Sequence, residues 1–136
     1  MNPILLDTHA ALWSASGTIS ASAARLIDAA AERGDLLLSP ITAWEIAMLV
    51  EKRRLLLAPT VQEYIRALFG QPGVATATLT PAIAAGAAAL PGKFHADPAD
   101  RILVATAAAY GARFVTRDKR IREYAKATNY LRCIGC

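Results

Sequence analysis

Two apolar runs of three residues, Ile4-Leu5-Leu6 and Leu36-Leu37-Leu38, each stop at a polar residue, Asp7 and Ser39. Runs this short and this uniformly apolar have the length of buried strands rather than helices. Gly73 to Leu79 (GVATATL) and Ala112 to Thr116 (ARFVT) read the same way. Between them, Ser20, Ser39-Pro40, Thr80-Pro81 and Asp97-Pro98 each place a capping side chain ahead of a helical stretch, three of them with proline at the first helical position. Gly34 and Gly111 stand where two of these stretches end. Thr60 to Phe69 carries Val61, Tyr64, Ile65 and Leu68 at helical spacing. Strands that alternate with helices close as a parallel sheet covered on both faces. The pattern therefore predicts a three-layer α/β/α fold around a central, mainly parallel sheet. A chain of 136 residues with 54% hydrophobic content has room for one core, so a single domain over residues 1–136 is expected.

In such sheets, ligands gather beyond the carboxyl ends of the strands. Asp7 directly follows the first strand, and Asp118 lies two residues beyond Thr116. Glu45 sits inside ITAWEIAMLV, and at about 100° per residue its neighbours on the helix surface are Ile41, Thr42, Met48 and Leu49. A carboxylate emerging through that apolar stripe needs a cation, a hydrogen-bond network or a proton. Lys52, two turns along, is one candidate partner and a metal ion is another. In His95 to Val104 (HADPADRILV), Asp97 suits the N-cap, Pro98 the first helical position and Asp100 the first turn, so both aspartates have a helix-starting explanation before any other.

Four carboxylates without a histidine or cysteine cluster suit a hard divalent cation, Mg²⁺ or Mn²⁺, of the kind that activates water for in-line attack on a phosphodiester. The charge distribution is compatible with that chemistry. Net charge is +4, and from Arg113 onward seven basic residues face only Asp118 and Glu123, while Lys52-Arg53-Arg54 forms a second cluster. A basic surface draws polyanions, although a solvated helix face produces the same pattern. Cys133 and Cys136 (CIGC), with His9 and His95 as the only histidines, are expected to be reduced, idle thiols. The phosphate-loop, dinucleotide-binding and nucleophile-elbow motifs are all absent. No apolar run is long enough for a membrane span and no basic-then-apolar leader is evident, which makes a cytoplasmic location the expectation.

Leu5 to Trp13 (LLDTHAALW), Ser39 to Ile46 (SPITAWEI), His95 to Leu103 (HADPADRIL) and Val115 to Asp118 (VTRD) occur in this order. Together they resemble the motifs of the PIN-domain family and, within it, of the VapC toxins of bacterial type II toxin-antitoxin systems. The resemblance covers nearly the whole chain and leaves only the terminal CIGC outside. It implies an Mg²⁺- or Mn²⁺-dependent endoribonuclease that uses metal-activated water, with Asp7, Glu45, Asp100 and Asp118 as the catalytic, metal-binding acids. It further implies supporting hydroxyls at Thr8 and Thr116, a VapB-like antitoxin partner and homodimerisation. The basic residues Lys52, Arg53, Arg54, Arg117, Lys119 and Arg120 are candidates for an RNA-binding rim. His9, Trp13, His95 and Arg101 recur in the subgroup's motifs without an assigned catalytic role. Two rival readings are a catalytically silent PIN-type RNA-binding or interaction module, and an acidic-pocket phosphatase or receiver-like domain phosphorylated on Asp7. The second rival usually shows another aspartate two residues after the first, where this chain has His9.

Overall fold

A computed structural model describes residues 1–136. Its strands are β1 (Ile4–Leu6), β2 (Leu36–Leu38), β3 (Val74–Thr76), β4 (Arg113–Val115) and β5 (Arg132–Ile134). The helices are α1 (Thr8–Ser16), α2 (Ala21–Glu32), α3 (Pro40–Glu51), α4 (Val61–Phe69), α5 (Pro81–Ala88), α6 (Pro98–Tyr110) and α7 (Lys119–Thr128). The strands form one sheet in the order β3-β2-β1-β4-β5, and every pairing is parallel. Chain order reverses at β1, between β2 and β4. This is the switch point where the loops leaving neighbouring strands part in opposite directions and open a crevice.

Strand alternation divides the core. Leu5, Leu37 and Phe114 face α5, α6 and α7, where they pack with Ile83, Leu103, Val104, Ile121 and Tyr124. Ile4, Leu6, Leu36, Leu38 and Val115 belong to the second layer, with Ala10, Ala11, Ile27, Ile46 and Leu68 from α1 to α4. The central strands are buried on both faces, so they read as continuous apolar runs without alternation. The expected three layers are present, and the sheet is wholly rather than mainly parallel.

Three elements lay outside the sequence reading: α1, α7 and β5. The CIGC segment contributes the second half of β5, and Ser20 N donates to the Cys136 carbonyl at 3.3 Å. β5 is an edge strand with an exposed arginine and two half-buried residues, so no apolar run announces it. The stretch expected as strand from Gly73 to Leu79 narrows to Val74–Thr76. Gly73, at φ 82°, turns the chain so close to α2 that a Cβ would lie 1.9 Å from the Ala31 carbonyl oxygen. No helix is long and apolar enough to cross a membrane.

Candidate active site

The crevice at the carboxyl ends of β1 and β4 is built around two threonines. Asp7 leaves β1 with its N–H bonded to the Val115 carbonyl at 3.0 Å, which ties the ends of the two central strands together. Asp7 stands at the N-cap of α1, yet its side chain makes no capping bond. Its Oδ2 instead accepts from Thr116 Oγ1 at 2.6 Å, and the same hydroxyl accepts from the Asp118 N–H at 3.0 Å. One buried hydroxyl thus links the side chain of one acid to the backbone of the other. Asp118 caps α7 through Oδ1, which accepts from Ile121 N–H at 3.1 Å. That bond leaves Oδ2 outside the cap.

Thr8, the first residue of α1, is 1% exposed. Its hydroxyl donates to Glu45 Oε1 at 2.5 Å and lies 3.1 Å from the hydroxyl of Thr42 on α3. Glu45 forms no ion pair, since the chain's salt bridges lie elsewhere and Lys52 is exposed at the C-cap of α3. The hydrogen-bond network, not a lysine, meets this carboxylate. Thr42 was a neighbour of Glu45 on the helix surface, and a hydroxyl in an apolar stripe was the signal for its part.

Asp97 occupies the N-cap of α6 and accepts the Asp100 N–H at 3.0 Å. The Asp100 side chain points away from the cap, with Oδ2 3.3 Å from His95 Nε2. His95 Nδ1 accepts from Asp97 N–H at 3.3 Å, which leaves Nε2 to carry the ring proton beside Asp100. That buried nitrogen lies off the line of a hydrogen bond and has no other partner. Sequence reasoning gave His95 no role, and its contact with Asp100 comes only from the folding of the 91–97 loop.

The acids act on one another electrostatically. Burial raises the Asp7 carboxyl above the usual carboxylate range, partly offset by Thr116, with Asp118 pushing the same way as burial. Burial likewise raises Glu45 against the opposing bond from Thr8, and Asp7 and Asp97 add to the rise. Asp100 is pushed up to about 7, first by burial and then by the charges of Asp97, Asp7, Asp118 and Glu45. The other three acids are thus each within electrostatic reach of Asp100, although no three close into a ready-made metal cage. The donors are all oxygens, and no lysine or arginine pairs with them; His9 only partly offsets the rise at Asp7 and Glu45. That chemistry fits a hard divalent ion and does not fit a soft one.

The remaining motif residues support the walls. Arg101 donates to the carbonyls of Ala87, Ala88, Phe94 and His95 at 2.8 to 3.2 Å, clamping the segment that carries His95. Arg117 lies 3.9 Å from the Trp13 ring centroid and donates to the carbonyls of Thr18 and Cys136. It joins α1 to the chain end, while its exposed guanidinium has no carboxylate partner. Lys119 pairs with Glu123 at 3.9 Å, and Arg120 is exposed on the same helix. Lys52, Arg53 and Arg54 follow α3; Arg54 lines a groove of about 730 Å³ shared with His9, Trp13 and Leu49. Cys133 and Cys136 are free thiols, and burial raises both, Cys133 to about 11. They stay protonated and inert at neutral pH.

An all-parallel α/β fold with an acidic crevice at its switch point defines a class, and the sequence comparisons name it. The PIN domain model matches residues 4–127, and the chain belongs to the PIN-domain family. It is 39% identical over 126 residues to Ribonuclease VapC22 of Mycobacterium tuberculosis, covering 91% of this chain and 93% of the relative. Two solved structures share its fold. One is VapBC2 from Rickettsia felis bound to a DNA fragment from its promoter, with TM-score 0.70, 14% identity and 97% of each chain covered. The other is FitAB bound to an IR36 DNA fragment, with TM-score 0.59, 23% identity, and 97% and 94% covered.

Proposed function

We propose that this chain is the toxin of a type II toxin-antitoxin pair and acts as a divalent-metal-dependent endoribonuclease. The observation that carries the reading is that Asp7, Asp118 and Glu45 all act on the carboxyl of Asp100, and that no lysine or arginine pairs with any of the four. Membership of the PIN-domain family and the 39% identity to a VapC ribonuclease support it. Asp7, Glu45, Asp100 and Asp118 would hold Mg²⁺ or Mn²⁺. When bound, the ion supplies Lewis-acid charge that makes a water acidic enough to attack and offsets negative charge developing on the phosphate.

The chain's own residues prepare that charge. Thr116 ties the Asp7 carboxylate to the Asp118 backbone, so the two residues that would hold the ion are joined through one hydroxyl. Thr8 holds Glu45 toward α1 instead of letting it swing to solvent. Asp100, whose carboxyl burial and then its acidic neighbours push up to about 7, would give up its proton on binding a cation. Arg101 fixes the loop bearing His95, whose Nε2 stands against Asp100.

Lys52, Arg53, Arg54, Arg117, Lys119 and Arg120 make up the proposed RNA-binding rim, with RNA as substrate. The proposed partner is a VapB-like antitoxin whose cationic side chain enters the acidic crevice, replacing metal charge and blocking RNA together. A homodimer, one domain over residues 1–136 and a cytoplasmic location complete the proposal. The test is RNA cleavage by purified, partner-free protein: activity in Mn²⁺, none in EDTA, and loss by orders of magnitude in Asp7→Asn, Glu45→Gln and Asp118→Asn. Full cleavage in chelator, or in any of these variants, refutes the mechanism. RNA binding without cleavage under all metal conditions favours the silent module instead.

A further inference from the structure

A second charged feature lies along the flank of the sheet, beside the edge strand β5. A groove of about 750 Å³ runs there from Gly135 to Asn2 and Asn129, between α2 and α7. Arg33, Arg113, Arg122, Lys126 and Arg132 line it, and no aspartate or glutamate does. Arg33 is engaged by Asp35 at 3.3 Å. The other four side chains have no carboxylate partner and make no hydrogen bond within the chain.

Their placement is costly without a ligand. Arg113 and Arg132 are register partners on adjacent strands, and like charges side by side on a sheet repel. Arg122 and Lys126 are one turn apart on α7, a second repelling pair. Arg122 reaches to Gly135, where its guanidinium would be 3.7 Å from an added Cβ, so the helix pair and the strand pair converge. Charge on an edge strand also discourages pairing with other chains, but that needs one or two side chains, not four gathered from three elements.

From this convergence we infer that the groove is an exosite for the phosphate backbone of a structured RNA, outside the acidic crevice. The inference rests on the ribonuclease reading, which supplies the polyanion. Three of the four cations are arginines, whose planar forks match phosphate oxygens. Leu26 and Ala29, both half-buried, line the same groove and give apolar surface for ribose or base to rest on, which a bare phosphate site would not need. The geometry also answers an electrostatic difficulty. Four carboxylates repel RNA from the crevice, and a basic track on the flank holds a long substrate while its scissile segment enters. Short single strands that cannot reach both places gain nothing from it.

The experiment measures binding in EDTA, where cleavage is silent, with unfractionated transfer RNA and a uridine hexanucleotide as probes. The variant Arg122→Gln/Lys126→Gln/Arg132→Gln changes three exposed side chains, relieves their repulsion and should melt no lower than the wild type. It should bind transfer RNA at least tenfold more weakly, and its log affinity against log salt should flatten by about two. Hexanucleotide binding should change less than twofold. Arg122→Lys/Arg132→Lys, which keeps the charge, should retain most of the affinity and serves if the triple variant folds poorly. Unchanged transfer RNA affinity and slope overturn the exosite, as does an equal loss for the hexanucleotide. Polyglutamate displacing transfer RNA as well as RNA does would make an acidic protein segment the occupant and overturn it too. Loss of the ribonuclease reading would appear separately, as no cleavage by wild type in Mn²⁺ while the binding difference persists.

Discussion

Asp100→Asn should make the cation-free protein more stable, and the gain should depend on pH in a defined direction. In the folded chain the Asp100 carboxyl sits at about 7, against an ordinary 3.8, because burial and four neighbouring carboxylates oppose its charge. The folded state therefore holds this proton more tightly than the unfolded one. Below about 3.8 both states are protonated and the group is neutral in its effect. As pH rises from there to about 7, the wild type loses stability, and above 7 the loss is complete. At about 1.4 kcal/mol per pH unit the span corresponds to about 4 kcal/mol, which solvent screening of a partly exposed carboxyl reduces to about 2 kcal/mol. Denaturation in EDTA should give nearly coincident curves at pH 4, and a melting temperature higher in Asp100→Asn by roughly 6 °C at pH 8. Asp97→Asn keeps a competent cap and should stay close to wild type in stability at pH 4. At pH 8 it should gain a smaller increment, since Asp97 is the largest charged contributor to the Asp100 rise. Cleavage in Mn²⁺ should survive Asp97→Asn and fall by orders of magnitude in Asp100→Asn. An Asp100→Asn protein that is less stable than wild type at pH 8, or whose advantage is the same at pH 4, refutes the crowded-acid reasoning. An inactive Asp97→Asn with an active Asp100→Asn reverses the division of labour between cap and site.

Thr116→Val removes the hydroxyl that serves both Asp7 and the Asp118 N–H; it should cost on the order of 2 kcal/mol in denaturant midpoints and lower cleavage sharply, while Thr116→Ser restores most of both. Arg101→Ala frees four carbonyls of the 87–95 segment and should destabilise by on the order of 3 kcal/mol, with Arg101→Lys a poor rescue because an ammonium lacks the planar fork. Arg117→Ala, which unstacks Trp13 and releases the Cys136 carbonyl, should raise hydrogen exchange in β5 and the start of α2 before it affects cleavage.

The parts of the fold that were legible in the sequence share a physical cause. β1 and β2 are buried on both faces, so nothing but apolar residues serves there, and the helices that follow β2, α4 and α5 carry capping side chains that bond the helix N-termini. β5 lacked any such mark because an edge strand exposes Arg132 and half-buries Cys133 and Ile134. α1 was hidden for a different reason: its N-cap aspartate leaves the helix uncapped and gives its side chain to Thr116, so the start signal was spent on the crevice. At the site, the identities of the acids could be proposed from strand ends and motifs. The pairings of Thr116 with Asp7 and of Thr8 with Glu45 join residues 109 and 37 positions apart, and depend on the strand order. The same holds for the basic residues. The run from Arg113 to Lys126 looks continuous in sequence, yet folding sends Arg117 to Trp13, Lys119 to Glu123, and Arg113, Arg122 and Lys126 to the flank.

The central claim is that Asp7, Glu45, Asp100 and Asp118 form one cation site, and calorimetric titration with Mn²⁺ at pH 7 tests it most directly. Wild type should bind with an enthalpy that changes between buffers of different ionisation heat, because a carboxyl near 7 must release its proton as the ion enters. Asp7→Asn, Glu45→Gln, Asp100→Asn and Asp118→Asn should each weaken binding at least tenfold, and Asp100→Asn should also abolish most of the buffer dependence. Mn²⁺ affinity in all four variants equal to that of wild type, with no proton release in any of them, would contradict the account.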